Sequence, residues 1–299
     1  MTLPRQVIPG SFYKITRRCT QRQYLLHADE ETNQIFLYCL AEAAQRFQIE
    51  VILPVALSNH HHTDIFDRHG NVIPFVEHFH KLLARAMNEY RGRSENFWSS
   101  EQVSIVRIED PAEVVDKVAY TALNPVKAGL VERAHHWPGV SGLSALLNGR
   151  AITVKRPRHF FRAGGVMPET ATLELVVPPE LGDADAFRAR LRERVALGEQ
   201  RLAEERARTG KRVLGRRAVL RQSWRSFPTS EEVKRDREPR FAASDRDVLM
   251  KAIARYHDFL DAYREARARW LSGLRAVFPA GTCWLRRFAN VAVAPLAPS

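Results

Sequence analysis

The chain has 299 residues, a hydrophobic fraction of 45% and a formal net charge of +12. That length can bury a substantial core in one large or two medium domains. No apolar run is long enough to span a bilayer and the N-terminus lacks the apolar segment of a secretion signal, so we expect a cytoplasmic protein. Cys19, Cys39 and Cys283 share no C-x-x-C spacing, so we expect reduced thiols.

The first half of the chain predicts strands and helices in alternation. Residues 12–16 form a predicted strand that a basic turn follows, and residues 49–57 and 103–108 form two more. Apolar residues spaced i, i+3 and i+4 predict helices over 32–47 and 73–90. With a third helix further on, this order predicts an α+β domain over roughly residues 1–150, with a small sheet and helices on one face.

The third helix has a clear predicted start. Asp110 is a candidate N-cap, Pro111 suits the first helical position, and Glu113 completes a capping box. We expect this helix to end near Leu123, because Pro125 disfavours helical geometry at the residue before it.

Three consecutive histidines follow the second predicted strand. If the strand continues, His60 and His62 project from one face and His61 from the other, which makes the first two a pair of candidate metal ligands. Pro54 predicts an edge strand or a local irregularity. The apolar residues of the strand have the opposite parity to His60 and His62, so we expect the core face and the histidine face to be opposite; they are Val51, Leu53, Val55 and Leu57.

Tyr120 and Asn124 lie one helical turn apart on the third helix, away from its apolar stripe. A tyrosine used only for packing would lie on the stripe, so this position favours a hydroxyl that does chemistry. A two-histidine metal site and a presented tyrosine together indicate nucleophilic attack on a phosphodiester.

Two other interpretations of the histidine run remain open. Three consecutive histidines can be a surface cluster that binds no metal. Alternatively, His60-x-His62-x-Asp64 begins like the motif of metallo-β-lactamase-type hydrolases, although Ile65 occupies the position where that motif needs another histidine. Asp64 shares the parity of His60 and His62, and we expect it to face water rather than to join a metal site.

The positive charge lies entirely in the second half. Residues 1–150 carry 16 Lys and Arg against 16 Asp and Glu, whereas residues 151–299 carry 30 against 18. Such an excess of arginine is typical of a nucleic-acid partner, although the coding bias of a GC-rich genome gives the same composition. Helical patterns over 183–208 and 245–277 predict a basic, mainly helical region, and 283–293 is expected to form a terminal hairpin or strand pair.

Two motifs carry a family resemblance over roughly residues 5–145. Asn59-His60-His61-His62 and the run Tyr120-Thr121-Ala122-Leu123-Asn124-Pro125-Val126-Lys127-Ala128-Gly129-Leu130-Val131, followed by Trp137-Pro138, resemble the signatures of single-tyrosine HUH transposases. The chain most resembles the group associated with REP palindromes. This resemblance implies a ferredoxin-like or RRM-like antiparallel sheet with helices on one face.

The resemblance also implies an activity. His60, His62 and Asn124 would bind Mg²⁺ or Mn²⁺, and Tyr120 would cleave single-stranded or hairpin DNA through a covalent 5′-phosphotyrosine. His61 stands where the family usually has a hydrophobic residue.

The expected partner is therefore DNA, with no membrane, and the chain is expected to be a monomer or a homodimer. Lys14, Arg17, Arg18 and Arg22 are candidate contacts to the DNA backbone, although a solvated basic turn would have the same sequence. A DNA-binding regulator derived from a transposase is the alternative function. It would bind the same DNA without forming a covalent adduct.

Overall fold

The computed structural model describes residues 3–230 and 239–296. Its strands are β1 Ser11–Arg18, β2 Glu50–Leu57, β3 His60–Asp67, β4 Ser104–Ile108, β5 Ile152–Lys155, β6 Thr170–Leu173, β7 Phe241–Ala242, β8 Val277–Phe278 and β9 Ala292–Val293. Its helices are α1 Glu30–Phe47, α2 Val72–Arg91, α3 Val114–Lys127, α4 Leu143–Leu147, α5 Ala184–Thr209, α6 Arg216–Arg221, α7 Arg246–Leu271 and α8 Trp284–Ala289. Within the described ranges, no helix is both long and apolar enough to cross a bilayer.

The first six elements form a β-α-β-β-α-β unit, and its sheet has the order β2-β3-β1-β4. The central strand β1 pairs antiparallel with β3 on one side and with β4 on the other. The sheet adds β7 as a fifth strand, parallel to β4. The predicted α+β, ferredoxin-like class with an antiparallel sheet is confirmed, and β7 makes the complete sheet mixed.

The two faces of the sheet carry different helices. His61 of β3 contacts Phe36 of α1 and Phe79 of α2, with ring centroids 5.5 Å apart in each pair, so α1 and α2 cover that face. On the opposite face, Lys14 of β1 donates a hydrogen bond from Nζ to the carbonyl of Lys117 in α3. The helices of the β-α-β-β-α-β unit therefore lie on one face, and α3 lies on the other.

The position of the histidines differs from the prediction. They do not end the second strand; they begin the third, after a turn at Ser58 and Asn59 that reverses the chain. Leu57 pairs with His60 and Val55 with His62, so these apolar residues share the histidine face. The expected separation of core face and histidine face is wrong, because a turn lies between the two sets. Strand β2 is the edge of the sheet, as Pro54 predicted.

Helix α3 runs through Pro125 to Lys127, so the predicted end near Leu123 is wrong. Proline lacks the N–H that would donate to the carbonyl four residues earlier, which here belongs to Thr121. The side-chain amide of Asn124 donates to that carbonyl at 3.3 Å and to the carbonyl of Tyr120 at 3.0 Å. The asparagine thus supplies a hydrogen bond where the proline cannot.

The second half of the chain packs onto the first. Its buried side chains join the main hydrophobic core, among them Leu173, Phe187, Leu191, Val195 and Val219. Helix α5 packs against α3, and their approach is so close that a Cβ on Gly198 would lie 2.2 Å from Cδ1 of Leu123. The division at residue 150 stays a prediction, while packing across it is continuous. The expected terminal strand pair over 283–293 is wrong, because α8 occupies most of it.

Candidate functional site

The histidines alternate across β3. His60 and His62 lie on the α3 face with ring centroids 5.0 Å apart and ring planes at 89°, whereas His61 is fully buried on the opposite face. The pairing of β1 with β3 places Arg18 beside His60 and Thr16 beside His62. Two imidazoles therefore share one face of the sheet, as a pair of metal ligands requires.

Each of these two imidazoles has its Nδ1 engaged. Nδ1 of His60 lies 2.7 Å from the amide oxygen of Asn59, whose amide nitrogen donates to the carbonyl of Arg22 at 3.1 Å. An amide oxygen can only accept, so Nδ1 of His60 carries the proton and a neutral ring has its lone pair on Nε2. Nδ1 of His62 lies 2.8 Å from the hydroxyl of Thr16. A metal ion on this face would be bound through Nε2 of both rings.

Tyr120 lies on α3 with 45% of its surface exposed. Lys127 donates a hydrogen bond from Nζ to its hydroxyl oxygen at 3.2 Å and lies 4.5 Å from the centroid of its ring. Nζ of Lys14 lies 4.8 Å from the same centroid. The phenol is thus accessible to a substrate and has two ammonium groups around it.

Asn124 follows Tyr120 by one turn of α3. Both of its hydrogen bonds to the helix backbone, to the carbonyls of Tyr120 and Thr121, use the amide nitrogen. These bonds leave the carboxamide oxygen, the atom that a hard divalent cation prefers, uncommitted to the helix.

Asp64 does not face water, so that expectation is wrong. It is buried between the sheet and α3, and its carboxylate lies 3.8 Å from Nζ of Lys14. Burial raises the pKa of Asp64 above its ordinary value, while the charge of Lys14 opposes that rise. Neither carboxylate oxygen accepts a hydrogen bond from a described residue, and the hydroxyl of Thr121 donates to the carbonyl of Lys117 instead. The His-x-His-x-Asp hydrolase interpretation is weakened, because its aspartate lies under a helix.

The two predicted DNA contacts nearest the histidines lie on opposite faces. Arg18 is on the histidine face, with its guanidinium 3.9 Å from the carboxylate of Glu101. Arg17 points to the face of α1 and α2, where its guanidinium lies 5.6 Å from the centroid of the Trp98 ring. The structure therefore places Arg18 beside the site and Arg17 away from it.

The other two predicted contacts have partners within the protein. Lys14 is largely buried, and Nζ donates to the carbonyl of Lys117 at 3.1 Å. Arg22 donates to the carbonyl and the hydroxyl of Ser230, at 2.7 and 2.9 Å. Lys14 therefore supports Tyr120 and α3, and Arg22 joins the first strand's turn to the second half of the chain.

A buried histidine pair packs on the face of β3 opposite His60 and His62. Nε2 of His61 lies 2.9 Å from Nε2 of His80, and Nδ1 of His61 lies 3.0 Å from the hydroxyl of Thr63. Burial lowers the pKa of His61 to about 3, and burial also holds the pKa of His80 well below its ordinary value. Both rings are therefore neutral at physiological pH. The residue between the two candidate ligands is a core residue.

Among residues 3–230 and 239–296, no group of three or more His, Cys, Asp and Glu side chains is arranged to hold a metal ion. A divalent ion at His60 and His62 would therefore need a protein ligand of another kind. The amide oxygen of Asn124 is such a donor. Two imidazoles and one amide oxygen, with positions left for phosphate oxygens, fit Mn²⁺ or Mg²⁺.

Sequence reasoning assigned no role to three residues of this face. Asn59 precedes the histidines directly, and Lys127 follows Tyr120 by seven residues, which is two helical turns, so spacing could have indicated both. Thr16 contacts His62 only because β1 pairs with β3 in one particular register. No local pattern in the sequence carries that information.

Comparisons with known proteins yield structural likenesses only. No family profile matches the chain, and no curated protein does. One similar solved structure is a REP-associated tyrosine transposase bound to a REP hairpin, at 19% identity and a TM-score of 0.42, covering 50% of this chain and 86% of that chain. Another, described as a candidate transposase from Deinococcus radiodurans R1, has 18% identity and a TM-score of 0.29, and covers 36% of this chain and 85% of that chain.

Proposed function

We propose that this chain is a transposase-like DNA strand-transfer enzyme in which Tyr120 attacks a phosphodiester of single-stranded or hairpin DNA. One observation carries the proposal most directly. His60 and His62, each with Nδ1 engaged by a neighbouring side chain, share a sheet face with the helix that presents an exposed tyrosine.

The proposed step is a transesterification at phosphorus. The hydroxyl oxygen of Tyr120 forms a bond to phosphorus as the bond from phosphorus to the 3′ oxygen breaks. The phenol proton passes to water, and the departing 3′ oxygen takes a proton from water. The products are a 5′-phosphotyrosine and a free 3′-OH, and the reverse step rejoins the strand.

His60 and His62, through Nε2, and Asn124, through its amide oxygen, would hold Mg²⁺ or Mn²⁺. When bound, such an ion supplies positive charge beside the phosphate oxygens. Asn59 and Thr16 orient the two rings, as neighbouring hydrogen-bonding groups do for metal-binding histidines. The amide oxygen and the phosphate oxygens of the substrate suit these hard divalent ions, whereas the two imidazoles alone would also suit a softer metal such as Zn²⁺.

DNA affinity would come mainly from charge. Arg18 lies beside His60 on the site face, and the second half of the chain carries the whole positive excess. Phosphate contacts of this kind release counterions, so we expect the affinity for DNA to fall steeply with salt. Arg17 has no part in this proposal, because its guanidinium packs over Trp98.

The decisive experiment uses a Tyr120→Phe variant. Wild-type protein, incubated with a single-stranded hairpin and Mn²⁺, should form a protein–DNA adduct that survives denaturation. The Tyr120→Phe variant should bind the same DNA equally well and form no adduct, because it loses only the nucleophilic oxygen. Tyr263→Phe, a change on α7, is the matched control and should form the adduct at the wild-type rate.

Each other outcome would support a different activity or a different nucleophile. DNA binding with no strand cleavage would favour the transposase-derived regulator. Cleavage without an adduct would favour an attack by water and restore the metallohydrolase interpretation. An adduct with the Tyr120→Phe variant would place the nucleophile at another residue.

A further inference from the structure

The hydroxyl of Tyr120 accepts a hydrogen bond from a lysine side chain. Nζ of Lys127 lies 3.2 Å from that oxygen, and both side chains are exposed. Residues 120 and 127 are two turns apart on α3, so the helix itself brings them to the same side. The contact joins the proposed nucleophile to a cation without help from any other element.

A second lysine holds the ring from the direction of the sheet. Nζ of Lys14 lies 4.8 Å from the ring centroid, 3.1 Å from the carbonyl of Lys117 and 3.8 Å from the carboxylate of Asp64. Asp64 is fully covered and neither of its oxygens accepts a hydrogen bond from a described residue, so its main compensation is Lys14. The buried acid thus keeps an ammonium group beneath the aromatic ring.

We propose that Lys127 is a catalytic residue that stabilises the negative charge on the Tyr120 oxygen, and that Lys14 is a positioning residue for the ring. The proposal rests on the proposed function of Tyr120 as nucleophile. It adds a charge partner that neither the metal ligands nor the DNA contacts supply.

The role of Lys127 follows from where charge develops. As the phenol loses its proton to water and attacks phosphorus, negative charge gathers on the tyrosine oxygen before the new bond is complete. In the rejoining step the same oxygen departs as a phenolate. The ammonium group of Lys127 stabilises both species by a charge-assisted hydrogen bond.

The test measures single-turnover rates at saturating DNA. Losing one donor to a developing oxyanion typically slows an enzyme by about 10²- to 10³-fold; because this pair is exposed, we expect Lys127→Gln to slow adduct formation by roughly 10- to 100-fold. Lys127→Arg keeps the charge and should recover part of the rate. Lys81→Gln on α2 removes the same charge far from the tyrosine and should leave the rate unchanged.

A fluorinated tyrosine separates charge stabilisation from a structural role. Fluorination makes the phenolate a better leaving group, which needs less help from a cation. With fluorotyrosine at position 120, the ratio of wild-type to Lys127→Gln rates for rejoining a purified adduct to a 3′-OH strand should shrink. A structural contact, or a contact to DNA phosphate, would leave that ratio as it was.

The outcomes separate this inference from the proposed function. If the wild type forms an adduct and Lys127→Gln forms it as fast at saturating DNA, the role of Lys127 is overturned while Tyr120 keeps its own. An unchanged ratio with fluorotyrosine also overturns it. If the wild type forms no adduct, the proposed function itself fails.

The positioning role of Lys14 has its own readout. Lys14→Met should lower the maximal rate of adduct formation while leaving the dissociation constant for DNA nearly unchanged, since Lys14 is largely buried. A variant that weakens DNA binding and keeps its maximal rate would make Lys14 a phosphate contact instead.

Discussion

The amide of Asn59 lies between His60 and the backbone of Arg22, with its oxygen 2.7 Å from Nδ1 of His60 and its nitrogen 3.1 Å from the Arg22 carbonyl. This one side chain fixes which nitrogen of His60 carries the proton. It also joins the start of β3 to the turn that follows β1. Under the proposed function, this arrangement would leave Nε2 of the ring to bind the metal ion.

Replacing Asn59 should therefore weaken metal binding without unfolding the protein. We expect Asn59→Ala to lower the affinity for Mn²⁺ by about 10- to 100-fold, the usual cost of losing a hydrogen bond to a ligand histidine. Asn59→Asp keeps an acceptor for Nδ1 and should lose less. Titration calorimetry with Mn²⁺ measures both. Equal affinities for wild type and Asn59→Ala would show that this bond does not orient the ring.

The three histidines should divide into two classes. His62→Ala should abolish Mn²⁺ binding and change the free energy of unfolding by no more than about 1 kcal/mol, because the ring lies on a partly open face. His61→Ala should cost about 2–4 kcal/mol, because it removes a buried ring and leaves His80 without its partner. Urea denaturation gives the stabilities. A His61→Ala variant of wild-type stability would contradict the buried position of that ring.

The buried His80 predicts a direction for the dependence of stability on pH. Burial lowers its pKa in the folded protein, helped by the nearby His61 and Arg17. A histidine in the unfolded chain has a pKa of about 6.5, so below that pH the unfolded state binds a proton at this position while the folded state does not. Stability should therefore be full above pH 6.5 and fall as the pH decreases. His80→Gln should flatten the curve of unfolding free energy against pH between about 6.5 and 4; an unchanged slope would exclude His80 as a source.

Asn124 and Pro125 should show coupled effects on stability. Asn124→Ala removes the donor to the Thr121 carbonyl and should cost about 1 kcal/mol. In a Pro125→Ala background the new backbone N–H can donate to that carbonyl, so the same substitution should cost clearly less. A double-mutant cycle in urea measures the difference. Additive effects would mean that the asparagine does not substitute for the missing N–H.

Local patterns predicted the parts of the fold that depend on local rules. Helices α1, α2, α5 and α7 follow from apolar periodicity, and the alternation of His60, His61 and His62 follows from strand geometry. The end of α3 was missed because a side-chain amide replaced the hydrogen bond that Pro125 lacks. That compensation depends on one rotamer of Asn124, which a propensity rule does not include.

The wrong predictions at the site involve residues that are distant in sequence but close in the fold. The turn at Ser58 and Asn59 put the histidines on the face that β2 also fills with apolar residues. Asp64 was expected to face water because nothing near it in sequence shows that α3 covers it. Its ammonium partner, Lys14, lies fifty residues earlier in the chain and meets it only through the pairing of β1 with β3.

The contact of Gly198 with Leu123 means that the arginine-rich second half also supports helix α3. Helix α3 lies between the sheet and α5, so the close approach of α5 at Gly198 constrains the position of the helix that carries Tyr120. Under the proposed function, substitutions in α5 would then change the rate of strand cleavage as well as the affinity for DNA. A shortened chain without α5 would therefore need another support for the helix that carries Tyr120.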